Sequence, residues 1–269
     1  MGVTVRTAMT SSIRLYVDAP LHPGASVAPR AAQAHYLAAV MRRGVGDAVR
    51  LFNGVDGEFA ARIDALRRDR GVFTVGAQLR PQPPPPELWL VFAALKREAT
   101  ELVVQKATEL GVARIIPVST ARTNTARLNL ERLAAIATEA AEQCERLTLP
   151  GIAPLASLGA VLAGWPAGRR LVAAMERTDA APVPPGAQAL LVGPEGGFTP
   201  LELDALRRHA FVVPATLGPL ILRAETAAIV GLALLQAPTA GRDASPFPRS
   251  FNPSLPDRAL PGAAHETES

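Results

Sequence analysis

The hydrophobic rhythm of the chain changes once. Up to residue 80, apolar positions come in short runs bounded by turn residues: Ile13–Val17, Ala48–Phe52, Glu58–Ile63 and Val72–Leu79. Such runs predict β-strands. Asn53-Gly54 and Asp56-Gly57 lie between two of them and supply the positive-φ residues that tight turns need. Ala31–Val40 is the one helix predicted here, stopping before Arg42-Arg43-Gly44. A small, mostly β domain is expected over residues 1–80. Pro81-Gln82-Pro83-Pro84-Pro85-Pro86 then forms a stiff, extended linker over 81–86.

After Glu87 the strands read as continuous apolar stretches: Leu88–Leu95, Arg114–Val118, Leu171–Met175, Ala189–Val192 and Phe211–Val213. Helices predicted at 99–110, Asn129–Arg146, Leu201–His209 and Ala224–Leu235 alternate with them. Leu102, Val103, Ala107 and Leu110 share one side of the first, and Gly111 ends it. Continuous apolar strands need cover on both faces, so residues 87–237 are expected to form an α/β domain with a parallel sheet. Residues 238–269 hold six prolines and no periodicity, which predicts a disordered tail.

The chemistry concentrates in two loops. Val192-Gly193-Pro194-Glu195-Gly196-Gly197 follows a strand and precedes a helix start in which Thr199 caps, Pro200 opens the first turn and Glu202 completes a capping box. Gly218 and Ile221-Leu222-Arg223-Ala224-Glu225-Thr226 form the second. Glycines allow close approach of a ligand to the backbone, and they also serve a tight turn. Glu195 is not needed for the turn. Neither a dinucleotide fingerprint nor a Walker loop is present.

Composition narrows the chemistry. One cysteine, Cys144, excludes an internal disulfide, and the four histidines lack metal-ligand spacing, so no metal is expected. No run reaches the roughly 18 apolar residues of a membrane span, and Met1–Leu15 has no signal-like core, which predicts a cytoplasmic protein with no membrane partner. The net charge of +4 is unevenly placed. Residues 1–80 carry 11 Arg against 6 acids, residues 81–237 balance at 14 each, and residues 238–269 carry 3 Arg against 4 acids. An anionic partner therefore fits the N-terminal third best, beside the plainer reading of a solvated basic face.

Five blocks in order carry a family resemblance: His35-Tyr36-Leu37-Ala38-Ala39-Val40-Met41-Arg42 with Gly46-Asp47; Gln105–Val112 with Pro117; Glu139–Cys144 with Arg146 and Pro150; Val192–Phe198; and Leu217-Gly218 through Ile221–Ala227. In these the chain resembles the RsmE family, bacterial 16S ribosomal RNA uridine-N3 methyltransferases of the SPOUT class. The resemblance implies a PUA-like β-barrel domain that binds RNA, then a SPOUT methyltransferase domain with a trefoil knot. It also implies S-adenosyl-L-methionine as methyl donor, 16S ribosomal RNA or the small ribosomal subunit as partner, and a homodimer. The chain departs from the family pattern at Leu220, where Arg is usual, and at Ala224, where Thr is frequent.

On that resemblance the expected cofactor contacts are Met175, Gly193, Pro194, Glu195, Gly196, Gly197, Leu217, Gly218, Ile221, Leu222, Arg223 and Thr226. Arg223 is the candidate for stabilising a uracil anion, with pairing to Glu195 or Glu225 as the structural alternative. Glu195 is the second catalytic candidate, with loop N–H groups as its alternative partners. Arg14, Arg42, Arg43, Lys96, Arg122, Arg127 and Arg146 are the candidate RNA contacts. Two rival readings remain at this point: a knotted methyltransferase acting elsewhere on RNA, and a non-catalytic RNA-binding assembly protein.

Overall fold

The computed structural model describes residues 13–175, 180–184 and 186–237. The expected disordered tail, 238–269, lies outside them.

The alternating N-terminal runs form one curled sheet. Strands β1 (Arg14–Tyr16), β2 (Ser26–Val27), β3 (Ala48–Phe52), β4 (Glu58–Leu66) and β5 (Gly71–Arg80) stand in the order β1-β3-β4-β5-β2. Only β1 and β3 run parallel. Leu15, Leu51, Ile63 and Phe73 face one core with Leu37. The predicted helix 31–40 divides. α1 (Ala31–His35) is regular, and Tyr36–Val40 is a π-helical turn in which the Met41 N–H bonds the Tyr36 carbonyl at 2.9 Å. Arg42 then takes a left-handed φ of 51°, so the widened turn is closed by a strained residue.

The second sheet is entirely parallel. Its strands are β6 (Trp89–Ala93), β7 (Arg114–Ser119), β8 (Gly151–Ile152), β9 (Ala156–Ser157), β10 (Leu171–Ala174), β11 (Ala189–Val192) and β12 (Val212–Ala215). The order is β12-β10-β11-β6-β7-β8, with β9 also paired to β7. Side chains alternate between the faces. Leu90, Phe92, Leu190 and Val172 pack under α2 (Arg97–Glu109), α3 (Leu130–Gln143) and α6 (Ala224–Gln236). Val91, Leu191, Leu171 and Ala173 pack under α4 (Leu158–Ala163) and α5 (Pro200–Arg207). Both faces are covered, which is why these strands read as unbroken apolar runs. On α2, Val104 is buried whereas Leu102 is exposed, so the buried stripe lies one residue round from the predicted one.

The two sheets are joined by a buried charge network. Arg14 is 6% exposed and its guanidinium bonds Glu58 and the carbonyls of Ala141 (2.8 Å), Glu142 (2.9 Å) and Arg146 (3.1 Å). Those are the last-turn and post-helix carbonyls of α3, which a cation satisfies best. Arg80 meets Glu58 at 2.9 Å and the Glu145 carbonyl at 2.7 Å. The Glu142 carboxylate accepts the Tyr16 N–H at 2.8 Å, and burial pushes its pKa up despite that bond. Phe52, Ala141 and Leu147 form a small shared core beneath.

Candidate active site

A parallel sheet brings all its carboxyl ends to one edge, where ligands of open α/β sheets bind. Met175 follows β10, Gly193 follows β11 and Thr216 follows β12, and these three strands are neighbours. The two glycine loops found in the sequence therefore leave adjacent parts of one edge. Buried Met175 sits on the strand between them and donates its N–H to the Ala215 carbonyl at 3.0 Å.

The first loop is held from three sides. The capping box of α5 forms as the sequence predicts: Thr199 Oγ1 accepts the Glu202 N–H, and Glu202 accepts the Thr199 N–H at 2.8 Å. The other carboxylate oxygen of Glu202 accepts the Ala121 N–H at 2.8 Å, tying the loop after β7 to α5. Burial opposes ionisation of Glu202, yet these N–H bonds outweigh it and hold its pKa below the usual carboxylate range. Arg122 donates to the Gly196 carbonyl. A methyl group on Gly196 would stand 3.2 Å from Arg122 Cδ, and one on Gly193 3.0 Å from the Phe198 ring. Gly197 has a φ of 68°. Pro194 is buried while Glu195 and Gly196 are exposed, so the loop offers peptide groups to solvent.

The second loop is looser. Thr216 Oγ1 bonds both the N–H and the carbonyl of Gly218, whose φ is 131°. Leu217 and Leu222 pack partly against the core, whereas Ile221 is 58% exposed. Arg223 is exposed at the start of α6 in extended conformation, one turn before exposed Thr226. Among the described residues Arg223 makes no ion pair with Glu195 or Glu225, the structural alternative considered for it. Thr216 carried no signal in the sequence. Its role depends on a turn two residues long that no periodicity announces.

The arginines separate into two groups. Arg14 is buried in the network between the sheets, and this corrects its expected place among the RNA contacts. Arg146 is corrected likewise: its guanidinium bonds Thr148 and the carbonyls of Thr108 (2.9 Å) and Val112 (2.7 Å). Burial lowers its pKa to about 10. Both cations satisfy backbone carbonyls rather than a ligand. Arg42, Lys96, Arg122 and Arg127 are exposed, and Arg43 is half-buried. Among the described residues no cluster of His, Cys, Asp or Glu is built to hold a metal, and no helix is long and apolar enough to cross a membrane.

Residues 82–236 match the RNA methyltransferase domain family, and residues 29–75 match the RNA methyltransferase PUA domain. Ribosomal RNA small subunit methyltransferase E of Rickettsia conorii is 33% identical over 220 residues, covering 74% of this chain and 84% of its own. The chain belongs to this methyltransferase family. A family enzyme from Neisseria gonorrhoeae, solved bound to S-adenosyl methionine, superposes with a TM-score of 0.74 at 28% identity, covering 84% of this chain and 97% of that one. A methyltransferase from Legionella pneumophila, solved in complex with the same cofactor, gives a TM-score of 0.76 at 30% identity, covering 85% and 98%. The SPOUT-like α/β domain and the PUA-like curled sheet are thus the family architecture.

Proposed function

We propose that the protein transfers a methyl group from S-adenosyl-L-methionine to N3 of one uridine in 16S ribosomal RNA. The reading rests on one observation above the others: in a chain of this family, two glycine loops with exposed peptide groups flank buried Met175 at the carboxyl edge of the parallel sheet. Relatives solved with S-adenosylmethionine share the fold over most of their length. The residues fit that cofactor. Gly193, Gly196, Gly197 and Gly218 would leave room for it beside the backbone. The N–H groups of Gly197 and Gly218 are taken by Pro194 and Thr216, so Gly193 and Gly196 would supply the backbone donors, and Met175, Leu217, Ile221 and Leu222 would supply apolar walls for its adenine. Buried Pro194 closes the loop by accepting the Gly197 N–H at 2.8 Å, and Thr226 is exposed on the first turn of α6.

When bound, the cofactor supplies an electrophilic methyl on a sulfonium that leaves as a thioether. The chain has to position the acceptor and help the N3 proton leave. Arg223, exposed at the start of α6 and free of acidic partners among the described residues, donates to a uracil oxygen and stabilises the N3 anion. Glu195, exposed in the glycine loop, orients donor groups or passes the proton outward. Arg42 and Arg43 in the loop before β3, with Lys96, Arg122 and Arg127 in loops of the α/β domain, hold RNA phosphates. Residues 1–80 act as the RNA-binding domain, 81–86 as linker and 87–237 as the catalytic domain, in the cytoplasm where ribosomes assemble.

The enzyme works as a homodimer joined through α6, where Leu234 is 42% exposed and Ile229 and Val230 are half-buried. Light scattering should give twice the 28.2 kDa chain mass. For the reaction, ribosomal RNA from a strain lacking the gene should gain one 3-methyluridine on addition of the protein and cofactor, read by nucleoside mass spectrometry. Both naked RNA and small subunits should be supplied. The rate should rise with pH until deprotonation ceases to limit it. Methylation on ribose or on uracil C5 would overturn the N3 assignment.

A further inference from the structure

A cavity of about 270 Å³ opens between the first turns of α2 and α3. It lies outside the glycine loops but at the same sheet edge. Phe92 of β6 is paired in register with Val192 of β11, so Leu95 and Gly193 leave neighbouring strands on the same side. Thr125 Oγ1 donates to the Leu95 carbonyl at 2.7 Å and fixes the outer wall. The volume is below the roughly 300–1,000 Å³ of sites that enclose a whole small-molecule ligand.

Its chemistry is divided. Leu95, Leu128 and Leu133 give an apolar floor. Arg97, Arg127 and Arg132 stand around it. Glu101 bridges two of these arginines, at 2.8 Å to Arg97 and 3.3 Å to Arg132. Arg127 has no ion-pair or hydrogen-bond partner among the described residues. A carboxylate between two guanidinium groups occupies the kind of position that a phosphate takes. Three arginines against one glutamate leave the rim cationic, and the positive ends of two helices of 13 and 14 residues add to it.

We propose that this cavity is an RNA subsite beside the methylation centre. Its apolar floor receives one unstacked base of the strand flanking the target, and its arginines hold the adjoining phosphate. The inference rests on the RNA-methylating reading above and adds to it a second, non-reacting nucleotide pocket. Proteins commonly hold single-stranded RNA by stacking bases on aromatic rings or guanidinium planes and by tracking the backbone with positive charge; here the arginines supply the planes and the charge, and the leucines the apolar floor. Its binding energy holds the target loop open while the uridine is in place.

The test uses the full-length protein and a synthetic small-subunit ribosomal RNA fragment, with affinity measured across a salt series in the absence of cofactor. Arg127→Ala should weaken RNA binding roughly tenfold and reduce the salt slope by about one. Glu101→Gln should tighten it, because a competing carboxylate charge is lost; a purely structural Glu101 gives no gain. Cofactor affinity and melting temperature should stay unchanged in Arg127→Ala. A scan of single abasic nucleotides should find one position near the target that weakens the wild type but adds no further loss in a variant with the floor altered, Leu128→Asp. Unchanged affinity and slope in Arg127→Ala, or abasic effects that simply add to Leu128→Asp at every position, would overturn the subsite. Failure of the wild type to transfer methyl would defeat the reading of the reaction instead, and the binding series reads the subsite independently of it.

Discussion

At the scale of single residues, the glycine loop is the most exacting part of the chain. Gly196 faces Arg122 so closely that an added Cβ meets its Cδ at 3.2 Å. Gly196→Val should therefore displace that arginine and the peptide it holds. Cofactor affinity should fall roughly tenfold or more, about 1.4 kcal/mol, while stability changes by only about 0.5 kcal/mol because the site is exposed. Calorimetry and a melting curve on one preparation separate the two effects. Arg223→Ala should lower kcat roughly 100-fold with cofactor affinity nearly intact, as loss of one donor to a developing anion does. A loss in cofactor affinity alone would make Arg223 a binding residue. The two glycine loops were legible in the sequence because each lies between a strand and a helix start, whereas the role expected of Arg223 came from the family resemblance alone. Arg14 and Arg146 were not, since a formal charge says nothing about which carbonyls surround it. Both read as surface cations until the fold places the end of α3 against β1.

At the scale of elements, α5 owes its start to Thr199 and Glu202, and Glu202 reaches beyond the helix to the Ala121 N–H. Its folded-state pKa lies below the ordinary carboxylate value, so the unfolded chain binds the proton more readily. Stability from this group is fully present above the unfolded pKa of roughly 4.3 and is lost as pH falls through the folded value. Glu202→Gln should cost about 1 kcal/mol near neutral pH and flatten this part of the acid limb in melts from about pH 3 to 7. An identical acid limb in the variant would mean that other carboxylates set it. The five longer strands of the parallel sheet were legible, with ends within a few residues of those found, because burial on both faces leaves unbroken apolar runs. β8, β9 and α4 were not. The two strands have two residues each, too few for any period to show, and α4 has six. Ser157 caps α4 by accepting the Ala160 N–H at 3.1 Å, but the apolar run after it, Leu158–Ala163, is too short for a helical period to show. The π-helical turn was equally hidden, since its side chains pattern as an ordinary helix does.

At the scale of the whole molecule, the proline run marks where one sheet gives way to the other, but it does not reveal how firmly they are joined. Arg14 and the Ala141 carbonyl are 127 positions apart, beyond the reach of any local pattern. Arg14→Ala should cost about 3–5 kcal/mol in urea unfolding, because Glu58 is then left buried with one cation fewer and the end of α3 loses its donor. Arg122→Ala, at an exposed arginine, should shift the same curve far less. Removal of residues 1–80 is consequently not a clean excision. It strips α3 of its cap and uncovers Ala141 and Leu147, so the remainder should melt earlier as well as bind RNA less well. The same joint has a meaning for the substrate. A swivelling linker would let two grips on an RNA move independently; a guanidinium seated in a helix end does not. The molecule is a jig with a fixed gap. On the proposed RNA contacts, inserting one nucleotide between the stretches assigned to the two sheets should leave each grip intact and carry the uridine out of reach.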